Sequence, residues 1–320
     1  MWLWLGVFAF FVLVYFSACY GVFCYAFRRA KRQGREAYEP NRPSKHTPAD
    51  PYAAEIHAAV KSALARSYEK ASIISRDGLT LCAKIYTPQT RRPRATIILF
   101  HGYRSFPERD FGCALPYYLE ECGLRILMVD QRAHGESEGK YITFGIRERE
   151  DCVDWAAYAA ERFGENEPIL LDGMSMGAST VMMAAGEDLP KNIVGIIADC
   201  GYTSVMAILQ KVGRDMHMPV LLLLPGVFLL CRLHGFDPLS VDAPRALARN
   251  TRPLLMVHGM ADGFVPYEMS VENYNAAAGD KRMISVEGAD HGMSFLVDRP
   301  VVIDALKTFF DKILPKESPL

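Results

Sequence analysis

One serine lies where a buried strand is predicted to turn sharply into a helix. Ser175 is the centre of the segment 173–177, which reads Gly-Met-Ser-Met-Gly. The apolar run 168–171 precedes this segment, and 178–185, rich in alanine, methionine and valine, follows it. Because glycines permit a tight turn that bulkier residues would obstruct, the pattern predicts a strand, an elbow that presents the serine hydroxyl, and a helix N-terminus behind it.

An acid and a base follow further strands downstream of the serine. Residues 252–259 are predicted to form a buried strand, and Asp262 lies in the loop after it. Residues 283–286 are predicted to form another strand, and His291 lies in the next loop. The order serine, acid, histidine is one of three known chain orders for a catalytic triad. We therefore expect Ser175 to attack an acyl carbon, His291 to transfer the proton, and Asp262 to orient the imidazole.

A fourth segment supplies a place for an oxyanion hole. The apolar strand predicted over 95–100 leads into His-Gly-Tyr-Arg-Ser at 101–105. The backbone N–H groups of Tyr103 and Met176 are predicted to bind the developing negative charge. Gly102 leaves room for the backbone to approach the substrate oxygen.

Other residues compete for the roles of acid and base. Asp262 has the alternative interpretation of a turn residue before Gly263, in which case the acid would lie elsewhere. Asp290 is a poor rival, because adjacent side chains on a loop point apart. Three further histidines, His101, His134 and His258, lie at strand ends or in a turn, where local hydrogen bonding is the alternative to chemistry.

The chain resembles the α/β-hydrolases, and among them the bacterial membrane-anchored esterases and serine-aminopeptidase-like enzymes. The resemblance covers about residues 70 to 314 and is carried by the segments 99–103, 129–137, 173–177, 258–266 and 289–292. It implies an α/β fold with an eight-stranded, mostly parallel sheet and helices on both faces. The family more often has glycine where this chain has Ala133. The resemblance leaves the substrate open, because this fold carries esterases, lipases and peptidases.

Composition and spacing agree with one large α/β domain. Strands are predicted over 124–129 and 193–198, with an amphipathic helix over 151–163 between them. The net charge of −1 favours no nucleic-acid partner. The predicted organisation begins with an anchor at 1–27. A basic flank, a proline-containing linker (39–51) and a short helix together occupy 28–67. A catalytic domain at 68–314 and a tail at 315–320 follow. The chemistry requires no metal or organic cofactor, and the oligomeric state is left open.

The first residues predict a membrane-spanning helix. The run 2–27 is uncharged and rich in aromatic and branched apolar residues. At about 1.5 Å per residue it can cross a hydrocarbon core of about 30 Å with some tilt. Trp2, Trp4, Tyr20 and Tyr25 suit the two interfaces. A buried core helix is the alternative interpretation.

The flanks of this run favour an uncleaved anchor with the domain in the cytoplasm. A secretory signal has basic residues before its apolar run, and none is present here. The segment 16–19, Phe-Ser-Ala-Cys, faintly resembles a lipoprotein cleavage site, but the apolar run continues beyond it. The basic cluster at 28–35 follows the run, which the positive-inside rule places on the cytoplasmic side. Six of the eight cysteines lie outside this run, and they show neither disulfide-like nor zinc-like spacing, which is compatible with a reducing compartment.

The segment between the strand that ends at Asp199 and the strand near Pro253 is longer than one crossover helix needs. Its centre, 218–231, is strongly apolar. In the resembling family a cap lies here, so we expect a cap over about 201–240 whose apolar face lines an acyl pocket. A core helix of the main domain is the alternative interpretation.

These observations predict a membrane-anchored serine hydrolase that cleaves a carboxylic ester or thioester with an apolar acyl group. Its substrate is expected to be a small or lipid-like ester. A peptidase or amidase of the same fold is the first alternative, because it differs mainly in the leaving group. A non-catalytic binding module with this fold is an alternative of another class.

Overall fold

Eight strands form one sheet at the centre of the molecule. The computed structural model describes residues 2–31, 34–37 and 51–315. The strands are β1 (Glu69–Ile74), β2 (Thr80–Tyr86), β3 (Thr96–Phe100), β4 (Arg125–Asp130), β5 (Ile169–Met174), β6 (Ile193–Asp199), β7 (Leu254–Gly259) and β8 (Lys281–Val286). Their order is β1-β2-β4-β3-β5-β6-β7-β8, with β2 antiparallel to both neighbours and all other pairs parallel. The prediction of an eight-stranded, mostly parallel sheet is confirmed.

The helices cover both faces of this sheet. They are α1 (Trp2–Phe27), α2 (Ala53–Ala65), α3 (Pro107–Phe111), α4 (Glu148–Phe163), α5 (Met176–Ala184), α6 (Val205–Asp215), α7 (Val220–Leu233), α8 (Ala243–Leu247), α9 (Tyr267–Ala276), α10 (Ser294–Val297) and α11 (Arg299–Ile313). Short helical turns occupy Gly34–Ala37 and Tyr117–Glu121. Alternate side chains of β3 enter two core clusters: Ile98 packs with Trp155 of α4, and Ile97 with Phe310 of α11. A parallel strand buried on both faces is therefore apolar throughout.

The cap region consists of α6 and α7. The apolar segment predicted over 218–231 forms α7, with Pro225 inside the helix. Leu223 and Val227 are buried in the core cluster that lies on the α4 side of the sheet, whereas Leu221 is exposed. The buried face of α7 thus agrees with the core interpretation of this segment, and its exposed face agrees with the cap interpretation.

The predicted N-terminal apolar helix has the expected bounds and also packs on the rest of the molecule. Among the described residues, α1 is the one helix long and apolar enough to cross a membrane. Its first half is exposed, whereas Cys19, Phe23 and Phe27 are buried. The Tyr15 hydroxyl donates a hydrogen bond to the carbonyl of Leu222 in α7 at 3.0 Å. The sequence did not predict this packing.

Part of the basic flank also binds the domain. Arg29 donates to the carbonyls of Gly135 and Ser137, both at 2.7 Å. Arg35 pairs with Glu108 at 2.6 Å and with Asp130 at 2.9 Å. The linker predicted over 39–51 lies outside the described residues except for its last residue, and the tail predicted over 315–320 lies outside them except for its first.

Candidate active site

Ser175 lies on a strained turn between β5 and α5. Its φ of 56° and ψ of −115° are unusual for a residue with a side chain. A Cβ on Gly177 would lie 1.8 Å from the carbonyl oxygen of Phe100, and one on Gly173 would lie 2.2 Å from that of Gly177. The close contact of α5 with β3 and β5 therefore requires both glycines, and this packing fixes the position of the serine.

The three side chains predicted from chain order form one hydrogen-bonded chain. The Ser175 Oγ lies 2.8 Å from Nε2 of His291, and Nδ1 of His291 lies 2.7 Å from Oδ2 of Asp262. Asp262 follows β7 and His291 follows β8, so neighbouring parallel strands bring both loops to the end of the sheet where Ser175 lies. The carboxylate fixes the proton of His291 on Nδ1, which leaves Nε2 free to accept the proton of the serine.

Asp262 is held as a carboxylate by the groups around it. Burial alone would raise its pKa, but hydrogen bonds from His258 and His291 outweigh burial and lower the pKa. Its other oxygen accepts the backbone N–H groups of Phe264 at 2.9 Å and Val265 at 2.8 Å. An acid at this position therefore remains charged at neutral pH and can stabilise an imidazolium.

The competing histidines hydrogen-bond to groups other than Ser175. His101 Nδ1 lies 2.8 Å from the carbonyl of Gly102, and His134 Nε2 accepts the backbone N–H of Arg104 at 3.0 Å. Burial lowers the pKa of both rings, which favours their neutral forms. His258 supports Asp262 directly, with Nε2 at 3.1 Å from Oδ2.

Two other acids near the triad do not contact the ring of His291. Asp290 accepts the backbone N–H groups of Gly263 and of His291 itself. Asp199, at the end of β6, lies close enough to both triad partners to interact electrostatically, and burial raises its pKa to about 6. No sequence signal singled out Asp199, because a strand-ending aspartate has many structural uses.

One of the two expected oxyanion donors, Tyr103, lies in a fixed loop beside the serine, and the other, Met176, follows the serine directly. Within the described chain, the backbone N–H groups of Tyr103 and Met176 donate to no protein acceptor. A Cβ on Gly102 would lie 3.4 Å from Cβ of Ser175, so this loop passes directly beside the serine. Asp110 holds the loop by accepting the N–H of Gly102 at 2.7 Å and the hydroxyl of Ser105 at 2.5 Å.

Two cavities meet at Ser175. One, of about 170 Å³, is apolar and is lined by residues of α1, α6 and α7. The other, of about 300 Å³, is more polar and includes Arg109 and Asp110. Phe264 lines both cavities, and its ring centroid lies 5.1 Å from that of His291. Sequence reasoning missed Phe264, because an aromatic residue in a loop carries no signal of its own.

One group of potential metal ligands overlaps these residues. Ligand atoms of Cys200, Asp262 and His291 lie within 4.8 Å of one another. Burial raises the pKa of the Cys200 thiol well above its usual value, which disfavours the thiolate that binds metals. Both nitrogens of His291 already have partners, so the group is better suited to proton transfer.

Comparison with known proteins agrees with this fold. A model of the serine aminopeptidase family S33 matches residues 91–223, which include the loop at 101–105 and Ser175. The esterase Pf2001 of Pyrococcus furiosus matches 87% of this chain and 100% of its own, with a TM-score of 0.64 and 20% identity. The chain therefore has the α/β-hydrolase fold. Ala133, where α/β-hydrolases more often have glycine, has a φ of 60°, which glycine adopts without strain.

A second solved structure and a curated protein also match this chain. Est1E of Butyrivibrio proteoclasticus, solved with ferulic acid bound, matches 78% of this chain and 99% of its own, with a TM-score of 0.56 and 21% identity. The Bacillus subtilis (strain 168) protein YqkD, described as uncharacterized, is 24% identical over 195 residues. That match spans 60% of this chain and 64% of YqkD, just under two thirds of the relative's length. At these identities the solved structures establish the fold, and substrate must be argued from the site.

Proposed function

We propose that this α/β-hydrolase is a membrane-anchored serine hydrolase that cleaves a carboxylic ester, or a thioester, with an apolar acyl group. One observation carries the proposal: the hydrogen-bonded chain Ser175–His291–Asp262 ends at an apolar cavity of about 170 Å³. The reaction class follows from the hydrogen-bonded chain, and the preference for an apolar acyl group follows from the cavity.

The reaction proceeds through an acyl-enzyme. Ser175 Oγ forms a bond to the acyl carbon while its proton moves to Nε2 of His291, and Asp262 stabilises the resulting imidazolium. The oxyanion accepts hydrogen bonds from the N–H groups of Tyr103 and Met176. The bond to the leaving oxygen or sulfur then breaks, and His291 returns the proton to it. Water repeats these steps, with His291 as base, and releases the acid and the free serine.

The position of α1 supports an anchor that stays attached. Cleavage after the apolar run would remove Cys19, Phe23 and Phe27, all of which are buried against the domain. Phe27 packs on Phe144, with ring centroids 5.3 Å apart. The exposed cations Arg28 and Lys31 follow the helix, and they favour a cytoplasmic domain by the positive-inside rule.

A peptidase or amidase is the second candidate, and the match to the serine aminopeptidase family model favours it. The chemistry of the serine is the same, and only the leaving group differs. Measuring kcat/KM for matched aminoacyl amides and esters discriminates the two. The ratio of the amide value to the ester value would be higher for a peptidase than for an esterase. A binding module of this fold has no need of an intact triad, and it would respond to its ligand equally well in Ser175→Ala.

Labelling with a fluorophosphonate tests the proposal. Membranes from cells that express the full chain are treated with the probe, beside the variants Ser175→Ala and Ser72→Ala. Ser72 is an exposed residue of β1, so its variant controls for expression and for nonspecific labelling. We expect labelling of the wild type and of Ser72→Ala and none of Ser175→Ala. A folded wild type that does not label would overturn the proposal and favour the binding module.

A further inference from the structure

The N-terminal helix forms part of the cavity wall beside the serine. Val22, Tyr25, Ala26 and Phe27 of α1 line the same apolar cavity as Ser175. The Tyr103 hydroxyl donates to the carbonyl of Ala26 at 2.8 Å, which ties the end of α1 to the loop beside the serine. A helix that is only a tether needs none of these contacts.

The helices α1 and α7 lie side by side and run in the same direction. Tyr15 contacts Leu222 at one end, and the ring centroids of Phe23 and His234 lie 4.7 Å apart at the other. A Cβ on Gly226 would lie 2.5 Å from Sγ of Cys19, so the two helices approach closely between these points. The N-terminal end of α7 therefore points the same way as the membrane-spanning part of α1.

The length of α1 sets how deep this end of α7 lies. A hydrocarbon core of about 30 Å takes about 20 helical residues. Counted from Trp2, at the far interface, the near boundary falls close to Val22. Tyr15 then lies roughly 10 Å inside the hydrocarbon at about 1.5 Å per residue. Leu222 accompanies Tyr15, so the first turn of α7 lies within the bilayer rather than above it.

The surface at this end of α7 suits lipid. The side chain of Leu221 is 81% exposed, and Leu222 and Met216 are also exposed. Met216 and Met218, in the turn between α6 and α7, line the apolar cavity that reaches Ser175. Charged side chains also border this turn: Arg214 and Asp215 are exposed at the end of α6, and Asp215 pairs with Lys211. The residues that line the cavity thus extend from Ser175 to the turn between α6 and α7, which is the end of the cap that lies within the bilayer.

We propose that the acyl chain of a bilayer lipid ester enters the cavity directly from the bilayer, past the turn between α6 and α7, with α1 as one wall. The partner of the exposed leucines is the lipid bilayer itself. This inference rests on the proposed function and adds its substrate class. The polar cavity that includes Arg109 then receives the leaving group.

The depth of α7 is tested by quenching tryptophan fluorescence with lipids brominated in the middle of their acyl chains. The full-length protein carries Trp2→Phe and Trp4→Phe and is reconstituted in phosphatidylcholine vesicles, with Leu221→Trp or Leu233→Trp added. Leu233 is the matched control, because it is 72% exposed at the opposite end of α7. We expect at least two-fold stronger quenching of the added fluorescence in Leu221→Trp than in Leu233→Trp. Equal quenching of the two variants would overturn the depth assignment.

Entry of substrate from the bilayer is tested by a ratio of rates. The rate on a long-chain ester held in the vesicles is divided by the rate on soluble p-nitrophenyl acetate, for the wild type, Leu221→Glu and Ile74→Glu. Ile74 lies in β1 and is also exposed, so it controls for the added charge. We expect the ratio to fall about ten-fold or more in Leu221→Glu and to stay at the wild-type value in Ile74→Glu.

The outcomes separate the two proposals. A wild type inactive on both esters overturns the proposed function and this inference with it. A wild type active on both, with the same ratio in Leu221→Glu, overturns the inference alone. A wild type active only on the soluble ester also overturns the inference, because no lipid chain then reaches Ser175.

Discussion

Asp262 accepts hydrogen bonds from two histidine rings and two backbone N–H groups, and this arrangement governs its chemistry. Each carboxylate oxygen accepts two hydrogen bonds, so the carboxylate is held in one orientation. Its Oδ2 lies 2.7 Å from Nδ1 of His291. His258 is thereby a positioning residue, whereas a sequence argument assigns it only local hydrogen bonding. The acid is both the electrostatic partner of His291 and the centre of the loop that carries Phe264.

Replacing this acid by its amide separates charge from shape. Asp262→Asn keeps the side-chain volume but removes the acceptor that holds the proton of His291 on Nδ1. We expect kcat to fall by up to about 10⁴-fold, because the wrong tautomer cannot accept the serine proton. Steady-state hydrolysis of a p-nitrophenyl ester measures the loss. A variant within about ten-fold of the wild type would mean that another acid, such as Asp199, serves His291.

The same variant should change how stability depends on pH. The pKa of Asp262 is lower in the folded protein than in the unfolded chain, where it is about 3.9. The carboxylate therefore stabilises the fold above that value, and this contribution is lost as the pH falls through the folded pKa. Urea unfolding should show a difference between wild type and Asp262→Asn that is constant above about pH 5 and shrinks below about pH 4. A difference that grows on acidification would contradict the assigned charge.

Gly177 controls the approach of α5 to the sheet. In Gly177→Ala the new methyl meets the carbonyl of Phe100, so β3 or α5 has to move. We expect a loss of about 1–3 kcal/mol in the free energy of unfolding and a larger loss of activity, since Ser175 moves with the helix. Gly21→Ala is the control, because nothing lies within 4 Å of its added methyl. Wild-type stability and activity in Gly177→Ala would contradict the requirement for close packing.

The sequence predicts the three residues of the hydrogen-bonded chain better than it predicts the residues around them. Ser175, Asp262 and His291 could be chosen because each follows a strand whose apolar run is visible, and parallel strands end at one edge of the sheet. Phe264 could not be chosen, because its role depends on which way a loop folds over His291. The same holds for the interaction of His258 with Asp262, which needs the turn after β7 to bring them together.

At the scale of elements, the bounds of α1 could be predicted but not its packing. An uncharged run of 26 residues shows clearly where a helix begins and ends. Apolar side chains surround the helix on all sides, so no stripe indicates which face contacts protein. Gly226 of α7 and Cys19 of α1 are in close contact, and this contact could not be predicted from the sequence.

Val22 tests whether α1 shapes the acyl cavity. In Val22→Trp the larger side chain fills part of the cavity, so long acyl chains should fit poorly while acetyl esters still fit. We expect the ratio of kcat/KM for a long-chain ester to that for p-nitrophenyl acetate to fall at least ten-fold. Val12→Trp, on the exposed half of the same helix, is the matched control. An unchanged ratio in Val22→Trp would remove α1 from the substrate pocket.

For the molecule as a whole, the sheet could be predicted from sequence, but the packing of α1 on the domain could not. Six of the eight strands show in the sequence as apolar runs, and the resemblance implies an eight-stranded, mostly parallel sheet. Arg29 and Arg35 look like ordinary basic residues after a membrane segment. Their contacts with Gly135 and with the buried Glu108 depend on loops distant in the sequence.

The packing of α1 on the domain predicts that the mature protein keeps its N-terminus. Removal of α1 would expose the faces of α7 and of the 141–144 segment that Phe23 and Phe27 cover. We expect the protein from expressing cells to remain in alkaline-washed membranes and to have the intact mass of the full chain. A mature form that begins beyond residue 19, recovered in the soluble fraction, would show that the helix is a cleaved signal.

Ser175 is proposed to carry the acyl group during turnover, and trapping the acyl-enzyme tests this role directly. Full-length protein in detergent is mixed with a long-chain p-nitrophenyl ester, quenched in acid within the first turnover, digested and examined by mass spectrometry. We expect the peptide containing Ser175 to gain the mass of the acyl group, and the same peptide of Ser175→Ala to gain none. Turnover with an acyl group on another side chain, or with the adduct retained in Ser175→Ala, would contradict this role of Ser175.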